Sequence, residues 1–112
     1  MKAIRVHEFG GPERLVLEQV ADLQPGPREV LVRIHAVGVN PVETYIRTGT
    51  HAVKPALPYT PGTDGAGEVV GIGQSVSRVS PGDRVYVAGS VSGTYAEQAL
   101  CLESQVYQLS ST

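Results

Sequence analysis

Between His35 and Arg47 the chain reads H-A-V-G-V-N-P-V-E-T-Y-I-R, which sets an amide, a carboxylate, a hydroxyl, a phenol and a guanidinium close together. Asn40, Glu43, Thr44, Tyr45 and Arg47 supply those groups. Such a set can hold and orient a polar ligand over a cleft. It contains no nucleophile with an adjacent base, and no Ser-His-Asp or Cys-His arrangement can be read from spacing elsewhere, because such groups converge only in space. Each residue also has a plain structural reading. Asn40 before a proline caps a helix, Tyr45 is a partly buried aromatic, and Glu43 and Arg47 stand four apart, a spacing for an ion pair of a few tenths of a kcal/mol.

Metal and nucleotide chemistry find less support. His7, His35, His51 and Cys101 show no ligand-like spacing, and zinc needs three or four converging donors. The histidines read as ordinary structural or solvent-facing residues, and Cys101, at a strand end, as a small buried hydrophobe. The segment G-T-D-G-A-G at 62–67 has the wrong spacing for a dinucleotide fingerprint. At 71–76, G-I-G-Q-S-V begins correctly but has Val76 where the third glycine belongs. Neither opens a helix, as pyrophosphate binding requires. These glycines are assigned to turns, bulges and close strand packing.

Periodicity predicts the secondary structure beneath this polar ledge. Val30, Val32, Ile34 and Ala36 alternate with Leu31, Arg33, His35 and Val37, which predicts a long strand over 30–39. Pro41 at a first helical position, Asn40 before it and Gly49 after it predict a short helix, with Val42, Tyr45 and Ile46 as its stripe. Further strands are predicted over 2–6, 15–20, 68–73, 84–88, 93–101 and 106–109. Turns fall at 7–12 and 80–83, loops at 22–29 and 50–61, where Pro55, Pro58 and Pro61 oppose regular structure, and a polar tail ends the chain. Many short strands punctuated by turns indicate a mainly β fold, a compact barrel or sandwich.

At 112 residues this is read as one domain, 1–112, long enough to bury a core without staples. A hydrophobic share of 41% argues against disorder. Nine basic and eleven acidic residues give a net charge of −2 with no basic cluster, so there is no electrostatic footprint for nucleic acid. One cysteine allows no disulfide framework. No apolar run approaches the roughly 20 residues of a membrane span, and no signal-like segment follows Met1. The expected setting is cytoplasmic, with no membrane partner.

Five runs together resemble a known family: F-G-G-P-E at 9–13, G-V-N-P-V-E-T-Y-I-R at 38–47, P-Y-T-P-G-T-D at 58–64, G-D-R-V at 82–85 and G-T-Y-A-E at 93–97. They are similar to the N-terminal domain of zinc-free quinone oxidoreductases of the zeta-crystallin type, in the medium-chain dehydrogenase/reductase superfamily. The second run is the specific one; G-D-R-V alone marks only the superfamily. The resemblance implies a GroES-like, partly open β-barrel with short helices and a cleft against a following nucleotide-binding domain. It implies NADPH as cofactor, bound mainly by that other domain, a quinone as small-molecule substrate, and homo-oligomers for full-length relatives. In zinc dehydrogenases of the superfamily a cysteine stands where Asn40 stands, and a His-Glu pair where Thr63-Asp64 stands. The absence of thiolate and imidazole removes the Lewis acid, so no zinc is expected.

Carried over by residue, the resemblance puts Tyr45 near the nicotinamide end of the cofactor and Asn40 hydrogen-bonding in the same cleft. Thr63 would line the pocket and His51 the substrate cleft, with no catalytic acid or base assigned. Relatives often carry a tyrosine where His51 stands. Because no Rossmann unit occurs in these residues, the chain is expected to be a fragment or short form, inactive alone and prone to self-association. Two other readings share the scaffold: reduction of an activated C=C bond, as in enoyl reductases, and a non-catalytic module binding RNA or protein.

Overall fold

The computed structural model describes residues 1–52 and 54–109. Among these residues seven strands and one α-helix follow one another, besides two short 3-10 turns: β1 (Lys2–Arg5), β2 (Val16–Gln19), β3 (Glu29–Val37), α1 (Pro41–Thr48), β4 (Gly65–Ile72), β5 (Arg84–Val87), β6 (Gln98–Leu102) and β7 (Val106–Gln108). The five-stranded sheet has the order β6-β3-β4-β5-β7, and β1 pairs with β2 in a separate two-stranded sheet. All the pairings are antiparallel. The fold is mainly β, as the strand count predicts, with two sheets and no closed barrel.

The core is built from small, stiff side chains. Val30, Val32, Val69, Val85, Val87 and Cys101 are buried to 1% exposure or less. β-Branched residues lose little side-chain freedom on a pleated surface, so a valine core suits a chain with no tryptophan and one phenylalanine. Cys101 is packed in this cluster, and burial pushes its thiol up to about 12. It behaves as the small hydrophobe expected of it.

Glycines allow the strands to approach. A Cβ on Gly67 would overlap the Arg33 carbonyl oxygen, and one on Gly65 would stand 2.7 Å from the Ala36 carbonyl oxygen. The segment 62–67 is therefore partly strand, since β4 begins at Gly65 rather than at 68. The alternation in β3 also changes part-way. Ile34 pairs with Gly67 and Ala36 with Ala66, leaving His35 as the extra residue of a bulge. A bulge bends its strand and re-aims the residues beyond it. Ala36 and Val37 are accordingly exposed, and β3 ends at Val37, two residues short of the sequence boundary.

The strand predicted over 93–101 is the larger correction. Only Gln98–Leu102 is strand. Gly93 sits at φ 96°, a left-handed conformation that no ladder residue adopts. Thr94 and Tyr95 bond instead to Gly62 and Pro61, at 3.3 and 3.0 Å. This segment also joins the two sheets: Ile4 N–H donates to Tyr95 O at 2.8 Å, and Ala3 bridges to Ala96. Within the loop 50–61, Tyr59 forms a bridge with Val6. Val53 of that loop and 110–112 of the polar tail lie outside the described residues.

Candidate functional site

Three segments meet at the site: the β3–α1 junction, the stretch 59–64, and 93–97. The helix forms as its sequence requires. Asn40 is the N-cap with extended backbone, Pro41 takes the first helical position, and Gly49 ends the helix at φ 82°. Glu43, three residues after Asn40, completes a capping box by accepting the Asn40 N–H at 2.7 Å. The far end of α1 is tied to the Gly-Gly-Pro turn, where Gly10 N–H donates to Arg47 O at 2.8 Å and Arg47 Nε to Gly10 O at 3.3 Å.

Glu43 does not pair with Arg47. Its carboxylate turns inward, 5% exposed, where Tyr95 donates its hydroxyl to Oε2 at 2.8 Å. Burial first, then the hydrogen bond and charge of Glu43, push the Tyr95 phenol up to about 12. The phenol therefore keeps its proton and remains a donor. Asn40 Nδ2 donates to Asp64 Oδ1 at 2.8 Å and lies 3.5 Å from Glu43 Oε1. Asp64 finds its place because residue 38 is glycine: a Cβ there would overlap Asp64 Oδ1 and stand 2.8 Å from its Cγ. Gly62, at φ 103°, likewise leaves space for the Tyr95 ring.

Beside this network lies a cavity of about 260 Å³ lined by Glu43, Ile46, His51, Tyr59, Pro61 and Thr63, among others. Its walls are chiefly apolar. The Tyr59 Oη is buried without a hydrogen-bond partner among the described residues, and burial raises its phenol, opposed by the charge of Arg47. Of the residues singled out from sequence, Glu43, Thr63 and His51 line this one cavity. Asn40 adjoins it through Glu43, and Asp64 opens onto a neighbouring surface depression with Val37 and Tyr86. Tyr45 lines neither and stands 55% exposed on α1, more open than the partly buried aromatic expected. Sequence reasoning passed over Tyr95. The capping-box spacing could have marked Glu43 as an inward acceptor, but nothing local marks its partner.

As metal donors these residues do not fit. The Asn40 N–H groups face carboxylates, Thr63 offers only a hydroxyl, and among the described residues no group of three His, Cys, Asp or Glu side chains comes together.

Comparison with known proteins decides the family. Residues 26–111 match the model of the alcohol dehydrogenase GroES-like domain. The chain belongs to this family. The GroES-like chain is 54% identical to a quinone oxidoreductase of Rattus norvegicus over 113 aligned positions, covering 100% of its own length and 34% of the relative's. Among solved structures, a quinone oxidoreductase of Pseudomonas syringae pv. tomato DC3000 superposes with a TM-score of 0.93 at 36% identity, over 99% of this chain and 34% of that one. The Escherichia coli quinone oxidoreductase complexed with NADPH gives 0.93 at 34% identity, over 98% and 33%. The chain thus spans about a third of the length of the relatives it matches, in their N-terminal region.

Proposed function

We propose that this GroES-like chain forms the substrate side of an NADPH-dependent quinone oxidoreductase that works without zinc, and that the 112 residues are inactive alone. The observation that carries this reading is identity of about half, across the whole chain, to proteins named quinone oxidoreductases. The site chemistry supports it. Quinones are flat, apolar and intrinsically electrophilic, so they need a fitted apolar cavity more than a Lewis acid. The cavity between α1 and 59–63 is of that kind.

Bound NADPH supplies the reducing equivalents. The exposed Tyr45 is available to the nicotinamide end, and Asn40 is available beside it. Thr63 and His51 contact the quinone from the cavity wall. Ile46, Pro61 and the Tyr59 ring exclude water, so that cofactor and acceptor meet in a dry, fixed arrangement. His51 adds a hydrogen-bonding ring to the cavity wall. We place the protein in the cytoplasm. Among the described residues no helix is long and apolar enough to cross a membrane.

The test is calorimetric titration of the purified chain with NADPH, with Tyr45→Phe as control, followed by an assay of quinone turnover. The expected outcome is binding weaker than about 100 μM, roughly 5.5 kcal/mol, and no turnover. Tighter binding that Tyr45→Phe weakens, or robust turnover, would refute the chain's dependence on further cofactor-binding surface.

A further inference from the structure

The cavity between α1 and 59–63 carries a carboxylate in an otherwise chiefly apolar wall. Ile46, Pro55 and Pro61 line it, and beside them stands Glu43, 5% exposed. The donors that hold Glu43 are neutral. Its Oε2 accepts the Asn40 N–H at 2.7 Å and the Tyr95 hydroxyl at 2.8 Å, and Asn40 Nδ2 lies 3.5 Å from Oε1. Neutral donors solvate a buried charge without cancelling it. Among the described residues no arginine or lysine forms an ion pair with Glu43. Arg47 brings a positive charge near Tyr59 and Tyr95, but its Nε is turned to Gly10 O. Asp64, which accepts Asn40 Nδ2 at 2.8 Å, sets a second carboxylate against that charge. Nor does the local fold need Glu43 to be charged. Glutamine serves a capping box at this position as glutamate does, and an amide oxygen accepts a phenol O–H as a carboxylate does. The negative charge is surplus to the helix and to Tyr95, and it faces the cavity.

We propose that Glu43 is a specificity-determining residue whose charge opens this cavity to neutral and cationic rings and closes it to anionic ones, carboxylated and sulfonated quinones among them. This rests on reading the cavity as a quinone site, and it narrows the acceptors to quinones without negative charge. The discrimination needs no direct contact. Charges beside an apolar cavity act over several ångströms, because the medium between them screens far less than water. An anionic ring would enter against the field of Glu43. A ring bearing an ammonium group would enter along it.

The test titrates the isotopically labelled 112-residue chain, followed by NMR, with three single-ring probes of similar size. Benzylamine is the cation, benzyl alcohol the neutral probe and benzoate the anion. Saturable shifts are expected at Ile46 and Thr63. Benzylamine should bind about ten-fold more tightly than benzyl alcohol, and benzoate about ten-fold more weakly, the effect of one unit charge at roughly 10 Å and an effective dielectric near 20 after partial screening. Equal affinities, or no saturable shift at the cavity residues, overturn the proposal. In Glu43→Gln, which keeps the capping box, the three affinities should fall to within about two-fold of one another. A spread that survives in that variant overturns the assignment to Glu43. Should the variant not fold, salt reads the same charge in the wild type: the spread must narrow between about 0.01 and 1 M, and a constant spread overturns the proposal. Duroquinone, a neutral quinone, separates this inference from the function it rests on. If it shifts no cavity residue while the benzyl probes keep their order, the quinone reading falls alone. If it binds and the probes show no order, this inference falls alone.

Discussion

The Tyr95 proton is held by burial and by the Glu43 carboxylate, which together carry the phenol from its ordinary 10.0 to about 12. Below pH 10 the phenol is protonated in both the folded and the unfolded chain. Between 10 and about 12 the unfolded chain releases a proton that the folded chain keeps, so the stabilisation is present in full below that window and is lost as pH rises through it. Replacing Tyr95 by Phe should cost about 1.5–3 kcal/mol in urea unfolding at neutral pH, the range for a bond to a charged group. The variant should also show a shallower loss of stability between pH 10 and 12. At this scale the sequence is half readable. Asn40 and Glu43 stand three apart before an apolar run, a spacing with one structural meaning. Asp64 and Tyr95 reach the same network from 24 and 52 positions away, and no local pattern encodes such a meeting.

Elements were legible where one physical preference dominated. Proline, the N-cap and the closing glycine fix α1, and alternation fixes the buried half of β3. The bulge at His35 and the shortened β6 were hidden because each depends on a distant backbone rather than on side-chain periodicity. The connection from β4 to β5 shows the same dependence. Its Ser77 and Arg78 N–H groups both donate to Glu103 Oε2 at 2.8 Å, just beyond β6. Those bonds, with the charges of Arg78 and Arg28, hold the Glu103 carboxyl below its ordinary range. A lowered carboxyl stabilises above its unfolded value, and that contribution disappears as pH falls through the folded value. Carboxyl-carbon NMR titration should therefore place Glu103 as the lower member of the glutamate set. Glu103→Gln should remove part of the acid sensitivity of the connection; a Glu103 titrating with the exposed glutamates would contradict the clamp.

Taken whole, the molecule leaves several large apolar side chains exposed among the described residues. Val39 is 76% exposed, and Tyr86 and Tyr107 stack at 4.9 Å on β5 and β7 with Leu109 exposed beyond them. Exposed apolar side chains of this size favour association. Light scattering at rising concentration should show self-association of the 112-residue chain, reduced in a Val39→Ser, Tyr86→Ser variant. A monodisperse monomer at millimolar concentration would count against it. The family and the mainly β class were readable from five short runs and the turn spacing. The separation into two sheets was not, because it depends on where 93–97 crosses between them.

Cys101 is the single thiol in the chain, fully buried in β6 against β3. A thiol reagent reaches it only when those strands part, so its labelling rate measures how often the centre of the sheet breathes. The same seclusion makes any cysteine introduced at Val39 or Tyr45 the one quickly labelled site. A fluorophore or spin label can then be set on the ledge of an otherwise unmodified molecule.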